Sequence, residues 1–111
     1  MVSLLAAAAV FACNLGALTA QERAQHARHT RQLVAAIAER QELPEGLRFR
    51  LGGIDLPEVA EWVRLERRCC PFFRFAIEVE PDLGPTWLTL SGAPGVKEFV
   101  QAELAPKELS R

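Results

Sequence analysis

Hydrophobic and polar residues alternate in three short stretches of the chain, at positions 47–52, 72–80 and 85–91. Alternation with a period of two is typical of a β-strand that buries one face. In the first stretch Leu47, Phe49 and Leu51 share a side, and in the second Phe73, Phe75, Ile77 and Val79 point inward. The sequence therefore predicts three strands, the last two joined by a hairpin loop rich in turn residues.

Helical spacing and helix-capping residues separate these strands. Thr19 and Glu22 form a capping-box pattern, which predicts a helix over 20–41 with the apolar stripe Leu33, Val34, Ile37 and Ala38. The polar first half of that helix, which contains His26 and His29, is expected to face water. Asp55 is a typical N-cap for a second helix over 56–70, which Pro71 ends. A last helix, with Val96, Phe99, Val100 and Leu104 facing in, is predicted to end at Pro106.

These elements predict an α+β fold in the order α-β-α-β-β-α. The sheet is short, with three or four strands, antiparallel or mixed, and the helices pack mainly on one face. We expect an apolar N-terminal segment at 1–18, a single α+β domain at 19–106 and a C-terminal tail at 107–111. The predicted core residues are Val59, Trp62, Val63, Phe73, Phe75, Ile77, Leu88, Leu90, Phe99 and Val100.

Composition and charge exclude two classes of partner. The chain has 111 residues, half of them hydrophobic, which is enough for one globular domain with its own core. Its 13 basic and 14 acidic side chains give a net charge of −1. This balance offers no basic stripe for nucleic acid or for an anionic membrane surface.

The first twelve residues are mostly apolar and resemble the hydrophobic part of a signal peptide. No Lys or Arg precedes the apolar run, although a basic start is part of such a signal, and the run is too short to span a bilayer. We therefore expect a buried N-terminal segment in a cytoplasmic protein without stable membrane insertion. A cleaved signal is the alternative.

The distinctive chemistry lies in three cysteines, the adjacent pair Cys69 and Cys70 and the distant Cys13. An odd number excludes a full disulfide framework, and three thiols in a reducing compartment are the simpler expectation. The pair sits at a helix C-terminus, whose dipole opposes a thiolate, so a nucleophilic role is disfavoured. The spacing also differs from the Cys-x-x-Cys pattern of thioredoxin-like redox motifs.

Binding of a soft metal or metalloid fits the cysteines better. Such an ion displaces the thiol proton, and sulfur ligands favour mercury-, arsenic- or copper-type ions. Pro71 lets both thiols of the pair turn toward one point, and Cys13 then completes a set of three metal ligands. Structural zinc would need His26 or His29 as a fourth ligand. A thiol redox protein or a cysteine-nucleophile enzyme using Cys69 or Cys70, and an interaction domain with structural cysteines, remain alternatives. The sequence assigns no catalytic residue, and the one cofactor it suggests is a soft metal or metalloid ion.

The run Glu-Arg-Arg-Cys-Cys-Pro-Phe at 66–72, with Trp87-Leu-Thr-Leu-Ser-Gly92 and Gly95-Val-Lys-Glu-Phe99 after it, resembles a small family of uncharacterised bacterial proteins. That family has a cysteine before its first helix, in the place of Cys13. The resemblance covers roughly residues 12 to 105. It implies that the three cysteines act together, and it implies nothing about substrate.

Overall fold

The computed structural model describes residues 12–104, so the predictions for 1–11 and 105–111 lie outside the described part. A short 3-10 turn at Leu15–Ala17 precedes the first helix. The helices are α1 (Ala20–Ala36), α2 (Leu56–Cys69) and α3 (Val96–Glu103). The strands are β1 (Ile37–Leu43), β2 (Gly46–Leu51), β3 (Arg74–Val79) and β4 (Thr86–Ser91). No helix within 12–104 has the length and apolar character needed to cross a membrane.

The predicted α+β class is confirmed, with one strand more than the three alternating stretches indicated. The predicted first helix was too long, because it ends at Ala36 and residues 37–43 form β1. Good helix formers such as Glu39, Arg40 and Glu42 lie in this strand. Here antiparallel pairing of Ile37–Leu43 with β2 outweighs local helix propensity. The two helix starts are as predicted: Thr19 and Glu22 form the capping box, and Glu58 accepts from the Asp55 N–H at 3.3 Å.

The four strands form one antiparallel sheet in the order β1-β2-β4-β3. β2 and β4 occupy the centre, and β1 and β3 are the two edges. Gly46 begins β2 opposite Ser91, at a place where a side chain would collide with the Leu90 carbonyl oxygen. Glycine is therefore required there for the two central strands to approach each other.

One face of the sheet packs against the helices and makes the core. The predicted strand face of Leu47, Phe49 and Leu51 is buried, as is the face of β4 that carries Leu88 and Leu90. The opposite face is polar, and there the Arg48 guanidinium stacks 3.7 Å from the centre of the Trp87 ring. Alternation thus assigned the faces of the central strands correctly.

Ile77 was wrongly predicted to lie in the core, and several other predicted core residues are only partly buried. Ile77 is 36% exposed and Val79, which was also expected to point inward, is 55% exposed. Phe75 and Val63 are only partly buried. These residues belong to β3 and to its neighbouring helix surface, and β3 is an edge strand that the helices do not fully cover. The other predicted core residues are buried, except for Phe99, which packs against the core from its margin.

Candidate functional site

The cysteine pair lies where α2 ends and the chain turns toward β3. Cys69 is the last helical residue, and Cys70 caps the helix with its N–H bonded to the Glu66 carbonyl at 2.7 Å. Cys70 has left helical geometry (φ −128°, ψ 71°), as a residue before proline tends to do. Both side chains are fully buried. Pro71 therefore ends the helix as predicted, and both sulfur atoms of the pair point into the protein.

The segment before α1 brings Cys13 to this pair. The Asn14 N–H donates to the Cys69 carbonyl at 2.7 Å. Arg68 reinforces the same junction, since it donates to the Ala17 carbonyl at 3.1 Å and pairs with Glu22 at 2.8 Å. Sequence analysis gave Arg68 no such structural role. These contacts thus hold the end of α2 against the segment around Cys13 and the first turn of α1.

Cys13 and Cys70 form a disulfide, with their Cα atoms 4.9 Å apart. The expectation of three free thiols was therefore wrong for this structure. The physical reason is the hydrogen bond of Asn14 to Cys69, which places Cys13 within the Cα separation that a disulfide needs. The predicted convergence of the three cysteines is present, because Cys69 Sγ lies 4.0 Å from Cys70 Sγ.

Cys69 remains a free thiol inside the core. Burial raises its pKa to about 12, and the nearby carboxyl groups of Glu66 and Glu103 act in the same direction. At neutral pH the sulfur is therefore protonated. A cysteine in this state is a poor nucleophile, because the thiolate is the reactive form.

His26 does not lie on a solvated helix face, as the polar pattern of α1 predicted. It is only 8% exposed, and its Nε2 lies 2.6 Å from Glu66 Oε1 and 4.0 Å from Cys69 Sγ. Burial lowers the pKa of His26 and raises that of Glu66, so both shifts favour the uncharged forms. His26 is buried because α1 packs against α2 at this point.

Glu103, near the end of α3, is a second carboxyl group at the site. Its Oε2 lies 3.3 Å from Cys13 Sγ. The disulfide sulfur of Cys13 carries no hydrogen, so a hydrogen bond in this contact requires the protonated carboxyl group of Glu103 as the donor. Burial, followed by the charge of Glu66 and a hydrogen bond to it, raises the pKa of Glu103 to about 9. Glu103 is thus protonated at neutral pH. Burial thus shifts both carboxyl groups beside the sulfur atoms toward their protonated forms.

Sequence analysis singled out neither Glu66 nor Glu103 as a member of the site. A signal was available in the helical spacing. Glu66 continues the inner side of α2 that carries Trp62 and Cys69, and Glu103 follows Val96 and Val100 along the buried side of α3. A carboxylate on an apolar stripe is unusual, because buried acids need a partner or a proton.

Among residues 12–104, one group of side chains lies close enough to hold a metal ion. It consists of Cys13, Glu66, Cys69 and Cys70, whose ligand atoms lie within 4.8 Å of one another. The donors are mainly sulfur, which favours soft ions over Mg²⁺ or Ca²⁺. His29, the other histidine considered as a zinc ligand, lies elsewhere, with its Nδ1 3.4 Å from the Gln32 side chain.

Comparisons of the chain with protein-family models, curated proteins and solved structures found no match.

Proposed function

We propose that the reduced protein binds a soft metal or metalloid ion through Cys13, Cys69 and Cys70, and that a trivalent metalloid such as arsenic(III) suits this site best. The observation that carries the proposal is that the sulfur of the distant Cys13 meets the sulfurs of the adjacent pair Cys69 and Cys70 at one point. Packing alone does not require three cysteines to meet, since each would fill space equally well elsewhere in the core.

The spacing of the sulfurs supports a shared ion. Cys69 Sγ and Cys70 Sγ are 4.0 Å apart. Two sulfurs bound at ~2.3 Å to one ion stand roughly 4 Å apart in a planar three-coordinate site and roughly 3.5 Å apart in the pyramidal geometry of arsenic(III). The pair therefore needs little movement to accept an ion, and Cys13 needs only to separate from Cys70.

Charge favours the trivalent metalloid. Cys69 and Cys70 are fully buried, and an uncompensated charge there would be costly. Three thiolates and one arsenic(III) form a neutral complex. Arsenous acid also brings three hydroxyl groups, which leave as three water molecules with the three thiol protons. The raised pKa of Cys69 is therefore no obstacle, because no free thiolate has to form first.

Binding by all three sulfurs requires reduction of the Cys13–Cys70 disulfide. A two-electron reductant, such as a small dithiol that becomes a disulfide, supplies the electrons and leaves two thiols. The same chain is thus its own control, because the oxidised form offers one thiol and the reduced form three.

The test is native mass spectrometry and isothermal titration of the reduced protein with arsenite. We expect a mass gain equal to one arsenic less three hydrogens. Binding should be lost in Cys69→Ser and Cys70→Ser, weakened in Cys13→Ser and lost in the oxidised protein. Circular dichroism of each variant verifies folding. Equal binding by the Cys69→Ser/Cys70→Ser variant would refute the proposal.

The disulfide itself favours a second candidate, a thiol–disulfide redox protein. Cys13 is partly exposed and is the sulfur that an external thiol reaches first, whereas Cys70 is buried. Equilibration with glutathione buffers, followed by trapping of free thiols with iodoacetamide, tests this role. Rapid exchange without any binding of soft ions would favour the redox function.

A further inference from the structure

We infer that the protein forms a symmetric dimer through the free edge of β3, with two copies joining their sheets at Ala76. The proposal rests on three observations: the different character of the two sheet edges, exposed apolar residues along β3, and a self-complementary sequence in that strand. It is independent of the metal-binding proposal.

The two edge strands of the sheet differ in how well they are protected against pairing with a strand of another molecule. β1 carries Glu39, Arg40 and Glu42, and its register with β2 shifts between Ile37 and Glu39. Charged side chains and such irregularities are the usual protection of an edge strand. β3 pairs with β4 in an uninterrupted register and has no equivalent irregularity. β3 is therefore the edge suited to accept another strand.

Apolar side chains of β3 are left uncovered on the helix side of the sheet. Ile77 is 36% exposed and Val79 is 55% exposed, although they share that face with the half-buried Phe75. Beside them is a cleft of about 490 Å³, lined by Val63, Arg67, Pro71, Phe73 and Phe75. A further strand paired with β3 would extend the sheet and cover the exposed residues and the rim of this cleft.

The sequence Arg74-Phe75-Ala76-Ile77-Glu78 complements itself when two copies run antiparallel. With Ala76 opposite Ala76 of the partner subunit, Arg74 lies opposite Glu78 of the partner subunit, and the two-fold axis repeats this pair. On the helix side, Phe75 lies opposite Ile77 of the partner subunit. Opposite charges and apolar pairs directly across two strands are both stabilising. A second copy is thus the occupant that this edge fits.

Registers centred on Glu78 or on Phe75 fit less well. Centring the pair on Glu78 sets two carboxylates opposite each other, and centring it on Phe75 places Arg74 opposite an alanine. Glu78 is also available for the contact, because its bond to Arg48 is long at 3.4 Å and the Glu78 side chain is 58% exposed. An exposed pair of this kind contributes little to the monomer.

Sedimentation velocity and light scattering of the full chain test the inference. We expect a dimer whose dissociation constant rises about tenfold or more in Arg74→Glu, which sets like charges opposite each other twice. The Arg74→Glu/Glu78→Arg variant restores opposite charges and should recover dimerisation. Arg31→Glu, the same charge change on the exposed surface of α1, should leave the dimer unchanged.

A register-specific measurement keeps the proposal testable if a charge variant fails to fold. Ala76→Cys should give a covalent dimer on mild oxidation, because directly opposed residues of paired strands have Cβ atoms ~5 Å apart. Gln41→Cys on the β1 edge should not. A wild-type protein that stays monomeric at about 0.1 mM would overturn the inference. So would a dimer that Arg74→Glu leaves intact.

Discussion

Replacing Cys13 with Ser should test how much the disulfide contributes to stability. The bond joins residues 57 positions apart, and it closes most of the described chain into a loop. In the chain-entropy model a loop of this size removes unfolded-state entropy equivalent to ~4 kcal/mol at 25 °C. Cys13 is only partly buried, so the substitution itself leaves no large cavity. We therefore expect Cys13→Ser to lower the free energy of unfolding by ~3–4 kcal/mol.

Urea unfolding followed by tryptophan fluorescence measures this change, with and without a phosphine reductant. The reduced wild type and Cys13→Ser should have similar midpoints, because both lack the cross-link. Cys13→Ser should not respond to reductant, which makes it the matched control. If the wild type keeps its free energy of unfolding within ~0.5 kcal/mol on verified reduction, the entropic reasoning is refuted.

Three further predictions concern the site and the core. Folding raises the pKa of Glu103 from 4.5 to about 9, so between these pH values the folded protein keeps a proton that the unfolded chain loses. The contribution of Glu103 to the free energy of unfolding is therefore complete below pH 4.5 and declines as the pH rises toward 9. Glu103→Gln should flatten that decline in urea titrations across this range, and an unchanged slope would contradict the assignment. Trp62→Phe removes the 3.0 Å bond from Nε1 to Thr30 Oγ1 and part of a fully buried ring. It should therefore cost at least ~1–2 kcal/mol by chemical unfolding, and a neutral result would contradict both the bond and the tight packing. Phe75→Ala should cost less than the ~3–5 kcal/mol of a fully buried phenylalanine, because Phe75 lies at the core margin, and a larger loss in the same assay would show tighter packing than the structure has.

The sequence by itself determined the fold class, three of the four strands of the described part and the three cysteines of the candidate site. Period-two alternation identified β2, β3 and β4, because a strand with one buried face must alternate. Capping residues such as Thr19 and the helix-ending Pro71 act locally, and so they could be recognised without a partner. The adjacency of Cys69 and Cys70 marked the site for the same reason.

Tertiary structure decided what depends on contacts between distant segments. Ile37–Leu43 has the composition of a helix and became a strand because β2 offered it a pairing edge. His26 lies on a polar stretch and is nevertheless buried, because α2 presents Glu66 to it. The disulfide depends on an Asn14–Cys69 hydrogen bond across more than fifty residues. Ile77 follows a buried pattern yet stays exposed, because no helix covers the end of an edge strand. Periodicity specifies which residues share a face, but only packing decides whether that face is covered.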